Sequence, residues 1–94
     1  MFVLAVELDV HIPASHSLKE RRQVVQAVLA AARRRYGVSA AEVAGQDTWQ
    51  RAGLGFAVVA SSVGQAEAVM DEVERFVWSH PEIDVLSTHR AWLD

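Results

Sequence analysis

The chain has 94 residues, of which 51% are hydrophobic, and it contains no cysteine. That length is enough for one domain with a hydrophobic core, and the lack of cysteine excludes disulfides, thiolate metal sites, iron–sulfur clusters and cysteine nucleophiles. The net charge of −3 argues against a general nucleic-acid-binding protein.

Hydrophobic periodicity predicts six secondary-structure elements. Apolar residues alternate with other residues in the first of them, which is typical of a strand with one buried face, and they recur every three or four residues in two helices. Ser17 and Glu20 form a capping box at the start of the first helix, and Gly37 caps its end. The predicted elements are a strand over 2–12, a helix from the Ser17 cap to 36, strands over 38–45 and 53–60, a helix between a cap at Ser61 or Ser62 and a stop at Pro81, and a strand over 83–93.

The order strand, helix, strand, strand, helix, strand is the split βαβ pattern of the ferredoxin-like fold. The short connection over 46–52 favours a hairpin between the two middle strands. Right-handed crossovers then predict an α+β sandwich, in which a four-stranded antiparallel sheet has the order 4-1-3-2 and both helices lie on one face. We expect the whole chain, 1–94, to form a single domain.

The charges are distributed unevenly along the chain. Between Ser17 and Tyr36 there are six cations and one acid, whereas between Ser62 and His80 there are one cation and four acids. Three of the six cations, at 33–35, lie in the last turn of the first helix, where positive charge complements the helix dipole. They therefore have a sufficient structural explanation.

The other three cations, Lys19, Arg21 and Arg22, lie at the start of that helix, where the dipole disfavours positive charge. None of them has an acid four residues further on. Together with free helix amides, they could contact phosphate or an RNA backbone. The alternative is a solvated or intramolecularly paired face whose arginine stems cover apolar surface.

A second candidate binding element is the connection between the two middle strands. An exposed aromatic residue beside arginine can stack on a base or anchor a protein interface. The alternative is a hairpin tip that packs within the protein or its oligomer. Trp78, off the apolar stripe of the second helix, is predicted to be another surface aromatic. The residues of the candidate docking or stacking loop are Gln46, Asp47, Trp49, Gln50 and Arg51.

The face of the sheet without helices is predicted to lack aromatic residues. This excludes the base-stacking mode of RNA-recognition motifs, which needs aromatics on the central strands. Small and partly apolar residues suit packing against another chain instead, so a homodimer is expected. The predicted residues of this face are Val3, Ala5, Glu7, Asp9, His11, Gly53, Gly55, Ala57 and Val59.

No catalytic constellation is recognisable, and the sequence implies no cofactor. Acylphosphatases share the predicted topology but use an asparagine to position water, and this chain has no asparagine. The four histidines have no tight metal-ligand spacing, and Ser17 is better explained as a cap than as a nucleophile. The N-terminus has no basic leader, so we expect a soluble, cytoplasmic protein without a membrane partner.

Two segments carry a resemblance that runs essentially end to end. HIPASHSLKERR spans the first strand-to-helix junction, and AEVAGQDTWQRAGLGFAVVAS spans the hairpin. With their SLK-x-x-R and QD-x-WQR runs, they resemble the YlxP-like family of small bacterial proteins of unknown function. The resemblance implies a ferredoxin-like fold and no assigned catalytic residues. Because genes of that family tend to lie among translation-initiation and ribosome-binding-factor genes, it also implies a link to translation or ribosome assembly.

The sequence thus favours a non-enzymatic domain that binds RNA or a ribosomal particle, with DNA not expected as a partner. The predicted phosphate contacts are Lys19, Arg21 and Arg22. Two alternatives remain open. One is a homo-oligomeric interaction module, in which the basic helix of one chain meets the acidic helix of another. The other is a small-anion site at the Ser17 helix start.

Overall fold

A computed structural model describes residues 1–13, 15–45 and 50–93. Each predicted strand and helix is present, and the ends differ by a few residues at most. For example, β3 begins at Arg51 and not at 53, so the hairpin connection is shorter than expected. In chain order the elements are β1 (Phe2–His11), α1 (Leu18–Tyr36), β2 (Ser39–Ala44), β3 (Arg51–Ala60), α2 (Val63–Trp78) and β4 (Asp84–Leu93).

The strands form one antiparallel sheet in the order β2-β3-β1-β4. This is the predicted order 4-1-3-2 read from the other edge, so the α+β class and the strand order are confirmed. β1 lies between β3 and β4, with Val3 opposite Val59 on one side and Leu93 on the other. The edges of the sheet are therefore β2 and β4.

One face of the sheet is buried beneath both helices. Leu4, Val6, Leu8 and Val10 of β1 are buried, while the residues between them are more exposed. Burying each such side chain contributes about 1.5 to 3 kcal/mol, and a one-residue shift would expose all of them, so the alternation determines the register. The other elements contribute to the same core Ala52, Leu54, Phe56, Val58, Val25, Val28, Leu29, Ala32, Ala66, Met70, Val73 and Val77.

The helix ends follow the predicted capping, except that the Glu20 carboxylate bonds the amide of His16 and not that of the N-cap residue Ser17. The hydroxyl of Ser17 accepts a hydrogen bond from the Glu20 amide at 3.1 Å, and the Glu20 carboxylate accepts one from the His16 amide at 2.7 Å. At the other end of α1, Gly37 has φ of 63° and its amide donates to the Arg33 carbonyl. These contacts satisfy backbone groups that the helix itself leaves unpaired.

Ser62, and not Ser61, caps α2. Its hydroxyl accepts a hydrogen bond from the Gln65 amide at 3.2 Å. The helix ends at Trp78, before the predicted stop at Pro81. Trp78 is 60% exposed, as expected for a residue off the apolar stripe.

Candidate nucleic-acid interface

The structure divides the predicted basic cluster at the start of α1 into two parts. Lys19 and Arg22 are exposed, whereas only 3% of the Arg21 surface is accessible. Arg21 precedes the core residues Val25 and Val28 by four and seven positions, so it lies on the buried stripe of the helix. Arg21 is therefore not a surface contact. Its position agrees with the alternative that the cation is paired within the chain.

The buried guanidinium of Arg21 has partners from β2 and from both sides of the hairpin connection. Its Nη2 donates to the Glu42 carboxylate and to the carbonyl oxygen of Gly45 at 2.7 Å, and its Nε donates to the carbonyl oxygen of Arg51 at 2.9 Å. A buried charge is tolerated only when it is paired and hydrogen-bonded. Arg21 meets both conditions within the chain and needs no external anion.

Four of the five exposed cations of α1 share one side of the helix, which we call the outer face of α1. The fifth, Arg35, lies on another side, with its guanidinium 5.3 Å from the centre of the Phe76 ring. The charged members of the outer face lie near both ends of the helix, and all of its residues are exposed. At 1.5 Å per residue, it extends over roughly 22 Å from first to last residue. The outer face of α1 consists of Lys19, Arg22, Gln23, Gln26, Ala30, Arg33 and Arg34.

Arg33 and Arg34 belong to this face although the helix dipole is a sufficient reason for positive charge at this end of α1. Arg33 follows Arg22 by 11 residues and Arg34 follows Lys19 by 15 residues, close to three and four full turns. This spacing already places Arg33 opposite the apolar stripe of the helix, on the same side as Lys19 and Arg22, in the sequence. The structure adds Arg34 to that surface.

The outer face of α1 carries positive charge without a carboxylate to neutralise it. Among the described residues, none of its cations has a carboxylate oxygen within 4.0 Å. Arg33 donates instead to the carbonyl oxygen of Ala40 at 2.6 Å. The sole acid of α1, Glu20, uses its carboxylate in the capping box with the His16 amide. The face can therefore attract an anionic partner.

Two of the four acids of α2 pair with β4, not with α1. Arg90 donates from Nε to Glu74 at 2.6 Å and from Nη2 to Asp71 at 2.8 Å. Burial on its own lowers the pKa of Arg90, but the hydrogen bonds and charges of these two carboxylates outweigh it and raise the pKa. In the described ranges, no ion pair joins α1 to α2.

The predicted docking loop is described only in part. Gln50 is exposed, and the Arg51 Nη2 lies 2.5 Å from the carboxylate of Asp9. Because Arg51 is opposite His11 in the register, its side chain is on the sheet face away from the helices. It does not share a surface with the outer face of α1. Outside the described residues lie Gln46, Asp47 and Trp49.

Residues 1–13, 15–45 and 50–93 lack two further features. No group of three His, Asp or Glu side chains in these ranges could hold a metal ion. No helix in them has the length and apolar character needed to cross a membrane.

Comparison with known proteins gives two matches. A family model described as "Protein of unknown function (DUF503)" matches residues 3–90. The chain is also 41% identical over 76 residues to a Bacillus subtilis (strain 168) protein named "Uncharacterized protein YlxP". That alignment covers 81% of this chain and 83% of the Bacillus protein.

Proposed function

The chain belongs to this family of unknown function, in line with the resemblance seen in its sequence, and we propose that it binds RNA, free or in a ribosomal particle. The outer face of α1 contacts the phosphate backbone. The observation that carries the proposal is the set of four exposed cations, Lys19, Arg22, Arg33 and Arg34, on one helix face, none of them paired with a carboxylate of residues 1–13, 15–45 or 50–93. Arg21, which was among the predicted contacts, has no part in it because it is buried.

Phosphate contacts by four cations would give modest, salt-dependent affinity. Each neutralised phosphate releases counterions. Each such contact lowers the logarithm of the binding constant by about 0.7 to 0.9 for a tenfold rise in salt concentration. Four contacts therefore predict a slope of about −3. Gln23 and Gln26 lie between the cations and can add hydrogen bonds to phosphate or ribose oxygens.

The recognition we propose depends on the RNA backbone and not on base sequence. Among the described residues, the sheet face opposite the helices carries no Phe, Tyr or Trp on which bases could stack. That face also carries Glu7 and Asp9, which repel phosphate. The charges therefore favour an approach of RNA from the α1 side.

A small-anion site at the helix start receives less support. The hydroxyl of Ser17 already accepts the hydrogen bond of the Glu20 amide, and the Glu20 carboxylate brings negative charge to the same place. A free phosphate would compete with both groups. An extended polyanion needs none of these amides, because it can contact the side chains along the outer face.

RNA retention by two charge-reversed variants tests the proposal. Arg22→Glu reverses a charge on the outer face, whereas Arg75→Glu makes the same change at an exposed position of α2. The assay uses total ribosomal RNA at about 50 and 200 mM salt, a range over which phosphate-driven binding changes strongly. Wild type and Arg75→Glu should retain RNA at the lower salt concentration, and Arg22→Glu should not. Equal losses in both variants, or no retention by the wild type, would refute the role of the outer face.

A further inference from the structure

The sheet face turned away from the helices, which we call the open sheet face, changes in character along the strands. Its residues form five rows across the sheet, starting at the N-terminal end of β1. The first two rows contain aliphatic residues and one serine, whereas all charged side chains lie in the last three. The rows are Leu93, Val3 and Val59; Ala91, Ala5, Ala57 and Ser39; His89, Glu7, Gly55 and Ala41; Ser87, Asp9, Gly53 and Ala44; and Asp84, His11 and Arg51.

A concavity of about 410 Å³ lies on the open sheet face. Small residues line most of it, among them Ala5, Gly55 and Ala57, together with the larger Val43. Val43 is 50% exposed and Val59 in the first row is 64% exposed. Exposed aliphatic side chains beside an apolar concavity mark an interaction surface.

We propose that a second copy of this chain covers the open sheet face, in a dimer whose twofold axis runs along the strands between β1 and β3. In this dimer β3 of one copy lies over β1 of the other. Val59 packs on the partner's Val3, and Ala57 packs on the partner's Ala5. Because the axis is parallel to the strands, each row of one copy lies over the same row of the other copy. The aliphatic rows therefore meet at one end of the interface, and the charged rows meet at the opposite end.

At the charged end, Gly55 and Gly53 leave no gap for the partner's acids, because Val43 and Ala44 of the same chain occupy the space beside them. Arg51 there pairs with Asp9 of its own chain. The self-matching that a twofold interface requires therefore comes from the aliphatic rows.

The area of the open sheet face is sufficient for a dimer. Strands of ten residues are about 33 Å long and about 4.8 Å apart, so four strands present about 500 to 600 Å². Two copies would bury about 1,000 to 1,200 Å² in total, near the lower limit for a specific interface. We therefore expect a dimer that dissociates on dilution.

The charge of the open sheet face argues against a polyanion as its partner. It carries three carboxylates, from Glu7, Asp9 and Asp84, and one guanidinium, from Arg51, which pairs with Asp9 of its own chain. RNA would be repelled, whereas a second copy offers its aliphatic rows to the aliphatic rows of the first. The outer face of α1 lies on the opposite side of the sheet and stays accessible, so dimer formation does not depend on RNA binding.

Sedimentation velocity of three chains without RNA tests the dimer. Val59→Glu places a charge beside the proposed axis, at a position exposed enough for the monomer to tolerate it. Val63→Glu makes the same change at an exposed position of α2. Measured from about 1 µM to 1 mM, the wild type and Val63→Glu should form dimers with the same dissociation constant, and that of Val59→Glu should rise at least tenfold. Thermal unfolding at the lowest concentration checks that Val59→Glu is folded.

A wild type that remains monomeric at 1 mM would overturn the proposal. So would a dimer that Val59→Glu leaves unchanged, since the contact would then lie elsewhere, for example at the β4 edge. Equal weakening by Val59→Glu and Val63→Glu would also overturn it, because the effect would then come from net charge. None of these outcomes bears on RNA retention through α1, which is measured separately.

Discussion

The guanidinium of Arg21 in α1 pairs with the carboxylate of Glu42 in β2, and only 4% and 16% of the two side chains are exposed. The same guanidinium donates to the carbonyl oxygens of Gly45 and Arg51, which lie on either side of the hairpin connection. One side chain thus joins the start of α1 to the β2–β3 hairpin. It holds these elements in place next to the proposed RNA-binding face.

We predict that Arg21→Ala destabilises the protein by about 3 to 5 kcal/mol, because it leaves the Glu42 carboxylate buried without a counter-charge. The carbonyl oxygens of Gly45 and Arg51 also lose a donor. Urea unfolding followed by circular dichroism would give the change in the free energy of unfolding.

Arg22→Ala is the matched control for this prediction. It removes the same side chain one residue later, at an exposed position without an ion pair to the described residues. We expect a change within about 0.5 kcal/mol. Similar effects of the two substitutions would show that the Arg21 pair contributes nothing beyond the loss of an ordinary surface residue.

The burial of Arg21 also shows where prediction from the sequence reached its limit. Its spacing to Val25 and Val28 placed it on the apolar stripe, so its burial could have been predicted. The partner of Arg21, however, could not have been predicted. Glu42 is 21 residues away, and an irregularity between Glu42 and Ala44 changes the register of β2 on β3, which local patterns do not reveal.

The fold itself was predictable because each element buries one complete face. The alternation in β1 and the helical stripe through Val25 and Leu29 each leave one orientation that hides the apolar side chains. The candidate site is different, because exposed cations obey no such constraint. Arg21 and Arg22 are neighbours in the sequence, yet one lies in the interior and the other at the surface.

We predict that Arg90→Ala destabilises the protein by about 1 to 3 kcal/mol. Arg90 connects the edge strand β4 to Asp71 and Glu74 of α2, and hydrogen bonds to charged groups contribute more than neutral ones. Glu74 is mostly shielded, so it would lose its partner without full access to water. Thermal unfolding should show the loss, with Arg22→Ala as a surface control. Equal melting temperatures for the two variants would contradict a stabilising role of Arg90.

Two glycines should respond to alanine in opposite directions. Gly37 has φ of 63°, in the left-handed region, so Gly37→Ala should destabilise by about 1 kcal/mol although an added Cβ would meet no atom within 4 Å. Gly64 lies in α2 with similar open space and no positive φ. Gly64→Ala should stabilise by up to about 1 kcal/mol, since alanine has the higher helix propensity. Urea unfolding of both variants checks the signs, and a gain for Gly37→Ala would contradict the capping role.

The outer face of α1 allows RNA binding to be separated from stability. In the double variant Lys19→Ala with Arg22→Ala, two cations leave the end of the helix where they oppose the dipole, so stability should stay level or rise by a few tenths of a kcal/mol. In Arg33→Ala with Arg34→Ala, two cations leave the end where they complement the dipole, so stability should fall by about 0.3 to 1 kcal/mol for each residue.

Both double variants lose the same charge from the same face, so both should retain less ribosomal RNA and show a shallower salt dependence. Urea unfolding and RNA retention measured on the same preparations separate the two effects. If Lys19→Ala with Arg22→Ala lowers stability by more than about 1 kcal/mol, these side chains serve packing at the helix start, since the dipole term has the opposite sign. If RNA retention falls only in the variant that loses stability, unfolding and not charge explains the loss of binding. A loss of RNA by both variants, with stability changes of opposite sign, can only come from the charge of the outer face.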